Sequence, residues 1–173
     1  MAGIPSVIYG FFALVVIVPW VKSTFGGRGQ SILAAALLLG FMILPTIIEV
    51  TEAAIRAVPN SYYEGGLALG ASHERSVFFA LLPGARSGIL AGIVLGIGRA
   101  IGETMAVMMV VGNQPRIPGS ILEGCRTLTT NIVMEMGYAA DLHKEALIAT
   151  AVVLFVFILI INLSFSALKR RGK

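Results

Sequence analysis

The sequence predicts an all-α membrane protein with four transmembrane helices and one short cytoplasmic helix between the second and the third. Hydrophobic residues make up 57% of the 173 residues and charged residues only 13%, whereas soluble domains carry about 25% charged residues. The apolar residues fall into four long segments, each near the length of about 20 residues that a helical span needs. We therefore expect a single membrane domain over residues 1–173 and no soluble domain beside it.

The four predicted spans differ in how cleanly they are bounded. We expect them at about residues 4–21, 31–58, 87–112 and 146–168. Pro45 lies inside the second segment, which turns polar towards its end, so this span should kink and emerge from the bilayer as a helix. The first segment is not a signal peptide, because it lacks a positively charged start and a small-residue cleavage site.

The basic C-terminal tail predicts which way the chain crosses the bilayer. The tail residues are Lys169, Arg170, Arg171 and Lys173. Such a cluster beside a span is typical of a cytoplasmic end and does not indicate nucleic-acid binding. With four spans, both termini are then cytoplasmic, residues 59–86 form a cytoplasmic loop, and residues 113–145 form an external loop.

Two opposite charges, Arg99 and Glu103, interrupt an otherwise uncharged stretch of residues 88–112. A charge at the bilayer centre costs about 2.5–3.5 kcal/mol on insertion scales and usually has a functional or pairing role. Positions four apart share a helix face, and here that face carries small residues, which allow helices to approach closely. These are Gly84, Gly88, Gly92, Gly96 and Ala100. We predict an inward-facing pair in a translocation or gating path; the alternative is a structural ion pair.

The cytoplasmic loop predicts two short helices separated by a glycine. Gly70 allows a sharp turn between them, and Pro83 is expected to end the second helix and lead into the third span. Gly65 and Gly66 leave a surface that another protein could approach closely. These features predict a docking surface on this loop.

This loop resembles the coupling loop of binding-protein-dependent ABC importers. Their pattern is E-A-A, three residues, G, nine residues, I, one residue, L-P, and it matches here at Glu64, Gly70, Leu82 and Pro83. Gly65 and Gly66 replace the two alanines, and Ala80 replaces the isoleucine. Three further runs resemble the PstC-like subunit of phosphate importers, so the resemblance covers nearly the whole chain. They are AGIPSVIYGFF, GIGRAIGETMAVMMVVGNQP and RTLTTNIVMEMGYA.

The resemblance implies a MetI-like permease fold and a transport subunit rather than an enzyme. It implies a complex of two permease subunits and two ATP-binding subunits in a bacterial or archaeal cytoplasmic membrane. An extracytoplasmic phosphate-binding protein would deliver the substrate, and the residues matched or replaced between Glu64 and Pro83 would dock on the ATPase. Members of this subunit family usually have six spans, two of them before the position of Ala2. The chain is therefore expected to be truncated or part of a longer protein.

The chemistry of Arg99 and Glu103 suits that implied substrate. Arginine offers a planar fork that binds oxyanions through two hydrogen bonds, and Glu103 could neutralise Arg99 while the path is empty. Charge and size alone do not separate phosphate from molybdate or sulfate, so a permease for another oxyanion stays open, as does a non-transporting remnant.

No cofactor is expected on this chain. ATP hydrolysis is expected in a partner, because the chain lacks the G-x-x-x-x-G-K-[ST] loop. No metal site is predicted either, since Cys125 is the sole cysteine and the two histidines lie apart.

Overall fold

The computed structural model describes the backbone of residues 4–171 and the side chains of these residues except 166 and 168–171. The basic tail on which the predicted orientation depends thus lies outside the described side chains. Within the described residues the chain is helical, and no strand occurs beyond an isolated bridge between Gly112 and Cys125. The helices are α1 (Ser6–Phe12), α2 (Val18–Phe25), α3 (Ile32–Arg56), α4 (Asn60–Ala68), α5 (His73–Ser76), α6 (Leu82–Gly102), α7 (Met105–Val110), α8 (Leu128–Glu135) and α9 (Asp141–Arg171).

Four helical stretches are long and apolar enough to cross a membrane. They are Ser6–Phe25, Ile32–Arg56, His73–Gly102 and Asp141–Phe165. The predicted all-α architecture with four spans is therefore confirmed. Their exact bounds differ most in the third stretch, which begins and ends earlier along the chain than the predicted residues 87–112.

Three prolines of the described chain lie inside continuous helical stretches: Pro45 lies within α3, which runs unbroken past it, and a π-helical turn precedes each of the other two. The turns are Ala13–Ile17, before Pro19, and Val77–Leu81, before Pro83. Proline lacks an N–H, and in an α-helix its ring clashes with the carbonyl of the residue four positions earlier. For Pro19 and Pro83 that carbonyl belongs to the π-helical turn, which is wider than an α-helical turn. The prediction that Pro83 ends a short helix is therefore wrong, since the helical stretch runs on from His73 to Gly102.

The third span is interrupted where the sequence predicts an unbroken helix. Helix α6 ends at Gly102 and α7 begins at Met105. Side chains at this break compete with the helical ladder: the Glu103 carboxylate accepts the Ala106 N–H at 3.1 Å, and the Thr104 hydroxyl donates to the Gly102 carbonyl at 3.2 Å. Arg99 and Glu103 consequently do not share one helix.

The residues group into two compact units. The first comprises Met1–Ile43 and Arg99–Ile160, and its core packs α1, α2 and the first half of α3 against α7. Gly10 permits this packing, since a Cβ there would lie 2.9 Å from the Cα of Ala106. The core residues are Ala13, Ile17, Val18, Val21, Ala34, Ala35, Leu38, Ala106, Val107, Val110 and Val111.

The second unit comprises Leu44–Gly98 and Ile161–Lys173, and in it α6 approaches the second half of α3 through glycines. A Cβ added at Gly88 would collide with Ala54, and one at Gly92 would lie 3.3 Å from Thr51 Oγ1. Small residues let helix backbones pack closely inside membranes. The predicted close approach along the small-residue face of α6 is confirmed at these positions.

Candidate translocation site and coupling loop

Arg99 lies in the last turn of α6, immediately before the break in the third span. Its side chain is half-buried. Within the described part of the chain its guanidinium forms neither an ion pair nor a hydrogen bond. A cation left without a partner in an apolar helix is a candidate binding group for an anion.

Glu103 does not neutralise Arg99 in this conformation. Its carboxylate instead accepts the Ala106 N–H and so caps the first turn of α7. The carbonyl of Glu103 accepts a long hydrogen bond of 3.5 Å from the Thr129 hydroxyl. The expected ion pair is therefore absent among the described residues, because the helix ends between the two charges. A role of both residues in translocation stays a prediction.

A polar cluster that was not singled out from the sequence lies in residues 113–145, the loop that the sequence predicts to be external and that is called the external loop below. The Arg126 guanidinium donates to Glu135 Oε1 at 2.7 Å, to Asn131 Oδ1 at 3.3 Å and to the Asn113 carbonyl at 3.2 Å. The side chains of Arg126 and Glu135 are only 19% and 18% exposed. Thr127 and Thr130 form a reciprocal cap at the start of α8. That T-x-x-T spacing could have predicted the helix, although not the ion pair.

The external loop also satisfies the first turn of α3. The N–H groups at the start of a helix have no partner within it. Here the N–H of Ser31 donates to Val110 O, that of Ile32 to Glu123 O, and that of Leu33 to Ile121 O. Next to these hydrogen bonds, the Cys125 N–H donates to Val111 O at 3.2 Å. Partial burial raises the pKa of the Cys125 thiol.

The coupling loop (residues 59–86) forms the predicted turn. Gly70 has a φ of +83°, a left-handed conformation that favours glycine, and it separates α4 from α5. The Tyr63 hydroxyl lies 2.7 Å from His73 Nδ1 and joins the two helices. Leu69, just before the turn, is 91% exposed. The two helices of the loop are thus joined by a side-chain contact, and the apolar side chain of Leu69 is exposed to its surroundings.

The matched residues of the coupling loop differ in their surroundings. Glu64 and Gly65 are exposed, and a Cβ at Gly65 would meet nothing within 4 Å. Gly66 instead faces the buried Ser76, whose Oγ would lie 2.6 Å from an added Cβ. Pro83 is exposed and Leu82 half-buried. Only part of the motif is therefore available to a partner, and its docking role stays a prediction.

Comparison with known proteins places these features in a family. The model of the "Binding-protein-dependent transport system inner membrane component" matches residues 1–173. The chain belongs to this family. It is accordingly a multi-pass membrane protein of the transport permease class, and the predicted permease fold is confirmed.

Several relatives within the family carry names that specify transport. The chain is 39% identical to a probable ABC transporter permease protein, YqgH, of Bacillus subtilis, over 94% of this chain and 55% of the relative. It is 34% identical to the phosphate transport system permease protein PstC of Mesorhizobium japonicum, over 93% and 56%. A probable PstC of Methanocaldococcus jannaschii is 29% identical, over 94% and 58%. The chain thus spans about half the length of these relatives. No solved structure matches it.

Proposed function

We propose that this chain forms part of a permease that carries inorganic phosphate across a bacterial or archaeal cytoplasmic membrane. The observation that carries the proposal is the similarity of more than nine-tenths of the chain to proteins named as phosphate permeases. In the proposed orientation both termini and the coupling loop are cytoplasmic. The external loop then faces the side from which phosphate arrives.

Arg99 supplies the chemistry that such a passage needs. Phosphate is strongly hydrated, so a dry path must replace water with fixed donors and positive charge. A guanidinium offers two parallel donors to an oxyanion, and that of Arg99 has no competing ion-pair partner among the side chains that the structure describes. Glu103 caps α7 beside it, so its charge would limit how tightly phosphate is held.

The driving force would come from partners. We propose a second permease subunit, ATP-binding subunits and an extracytoplasmic phosphate-binding protein, with the chain itself embedded in lipid and binding no cofactor or nucleic acid. The coupling loop would transmit closure of the ATP-binding subunits. Exposed Glu64, Gly65 and Pro83, next to the turn at Gly70, support this part of the proposal.

Uptake of labelled phosphate by the complete complex tests the role of Arg99. Arg99→Gln should lower uptake about 10- to 100-fold, the range that a charged hydrogen bond is worth. Arg99→Lys should retain part of it, because the charge remains while the fork is lost. The double variant Arg99→Gln with Glu103→Gln should assemble normally and still not transport.

The matched control is Arg28→Gln, which removes an exposed arginine of the same unit. Wild-type uptake in the double variant would reduce Arg99 and Glu103 to structural residues. Uptake of labelled phosphate that excess sulfate or molybdate suppresses more strongly than the same excess of unlabelled phosphate would reassign the substrate. A tagged chain that never recovers an ATP-binding subunit would contradict the importer assignment.

A further inference from the structure

We propose that Arg126 is a latch that holds α8 over the break in the third span, so that α8 acts as a gate at that break. The gating role rests on the proposed function, whereas the attachment of α8 by Arg126 does not. The argument uses only residues of the first compact unit.

Arg126 ties together three parts of the external loop. Its Nε donates to the carbonyl of Asn113, which follows α7, and its Nη1 donates to Asn131 and Glu135, which lie on α8. His143 Nε2 lies 3.9 Å from the second oxygen of Glu135. Removing the guanidinium would leave a largely buried carboxylate whose remaining basic neighbour among the described side chains is the more distant His143.

Apolar packing contributes little to the attachment of α8. None of its residues belongs to the hydrophobic core of the described chain or to the apolar residues packed against that core. Leu128 and Val133 are 45% and 50% exposed, Ile132 and Met134 are partly buried, and Thr130 is the one buried residue of the helix. A segment with few buried apolar contacts opens at low free energy. Arg126 therefore controls whether α8 stays in place.

The N-terminal turn of α8 lies on the break itself. The Thr129 hydroxyl donates to the carbonyl of Glu103, one of the two residues that separate α6 from α7. Non-helical backbone inside a membrane protein needs a protein partner or a water-filled cavity. When α8 leaves, the carbonyl of Glu103 loses this donor and the break opens towards water. The two positions of α8 thus correspond to a closed and an open break.

Cysteine labelling tests the latch without any need for transport. We would place a reporter at the break with Thr104→Cys, in a background in which Cys125→Ser removes the one cysteine of residues 1–173 and any cysteine elsewhere in the complex is also replaced. The full-length protein, in its complex, is labelled with a maleimide in permeabilised membranes, so that sidedness does not matter. Arg126→Gln should label at least about tenfold faster than the parent, because a charged hydrogen bond is worth at least that factor. Arg126→Lys should give an intermediate rate, since it keeps the charge but loses the fork.

The chain provides a matched control in the same loop. Arg116 pairs with Glu123 at 3.3 Å, but these side chains are 56% and 41% exposed. Arg116→Gln should therefore leave the labelling rate unchanged. If Arg126→Gln fails to reach the membrane, Glu135→Gln removes the same ion pair with little change of shape and should also label faster.

Unchanged labelling in both Arg126→Gln and Glu135→Gln would overturn the latch. Faster labelling of Arg126→Gln, together with a parent complex that transports no phosphate, would keep the latch and remove the proposed function. Faster labelling with ATP hydrolysis that no longer requires the loaded binding protein would support both.

Discussion

The two long connections between spans are stabilised in opposite ways. The external loop is tied to its own unit by a largely buried ion pair and by backbone hydrogen bonds to the start of α3. The coupling loop has no buried residue in α4, and an exposed leucine precedes its turn. The external loop is thus held in place by contacts within the chain, whereas the coupling loop keeps more of its surface exposed. This difference suits a loop that is held by its own unit in one case and a loop that docks on a partner in the other.

The largest expected effect is at Gly112, which immediately precedes the external loop and packs against it. Gly112 has a φ of +89°, and an added Cβ would lie 3.2 Å from the Cα of Gly124. Gly112→Val should therefore lower the stability of the first unit by about 3 kcal/mol, from strain and crowding together. Thermal unfolding of the purified protein, followed by tryptophan fluorescence, measures this change.

Gly119→Val is the control, because a Cβ there meets nothing within 4 Å and its backbone is not left-handed. It should change stability by less than about 0.5 kcal/mol. Equal effects of the two substitutions would contradict the close packing of the external loop.

A smaller effect on stability is expected at Gly70 in the coupling loop. Gly70→Val should cost about 1–2 kcal/mol from its left-handed backbone, with no crowding, since nothing lies within 4 Å of an added Cβ. Membrane insertion should persist, while stimulation of ATP hydrolysis by loaded binding protein should disappear. Unchanged stimulation would count against this loop as the coupling element.

Gly65→Val tests the docking of a partner on the same loop without the backbone strain that is expected at Gly70. An added Cβ at Gly65 meets no atom of the chain. Stability should therefore change little, and any loss of ATPase stimulation would report a contact with a partner. Retained stimulation would restrict the docking surface to the other exposed residues of the loop.

The smallest effect concerns the reactivity of Cys125. Burial raises the pKa of its thiol, so the reactive thiolate forms at higher pH in the folded chain than in the unfolded one. Alkylation of the folded protein by iodoacetamide should be slower than that of the denatured protein, and the difference should shrink as pH rises past the raised pKa. Equal rates near pH 8 would contradict the buried position of this residue.

The candidate site was only partly predictable, for reasons visible at Arg99 and Arg126. The charge of Arg99 within an apolar run is a local signal, and it drew attention to the end of α6 at which the third span breaks. Its separation from Glu103 depends on a helix break that side-chain hydrogen bonds around Gly102 stabilise. The cluster at Arg126 joins residues up to 13 positions apart in a loop, where no periodicity relates them.

The sequence by itself determined the features that depend on local composition and backbone freedom. These are the helical class, the four apolar spans, the turn at Gly70 and the close approach of α6 at Gly88. Hydropathy and the lack of a side chain act within a few residues of each position, so they need no knowledge of neighbours. Only the tertiary structure decided the interruption of the third span, the continuation of helix through Pro83 and the ion pair of Arg126 with Glu135. Each of these depends on which polar groups or helical turns meet across the fold, and no short stretch of sequence contains that information.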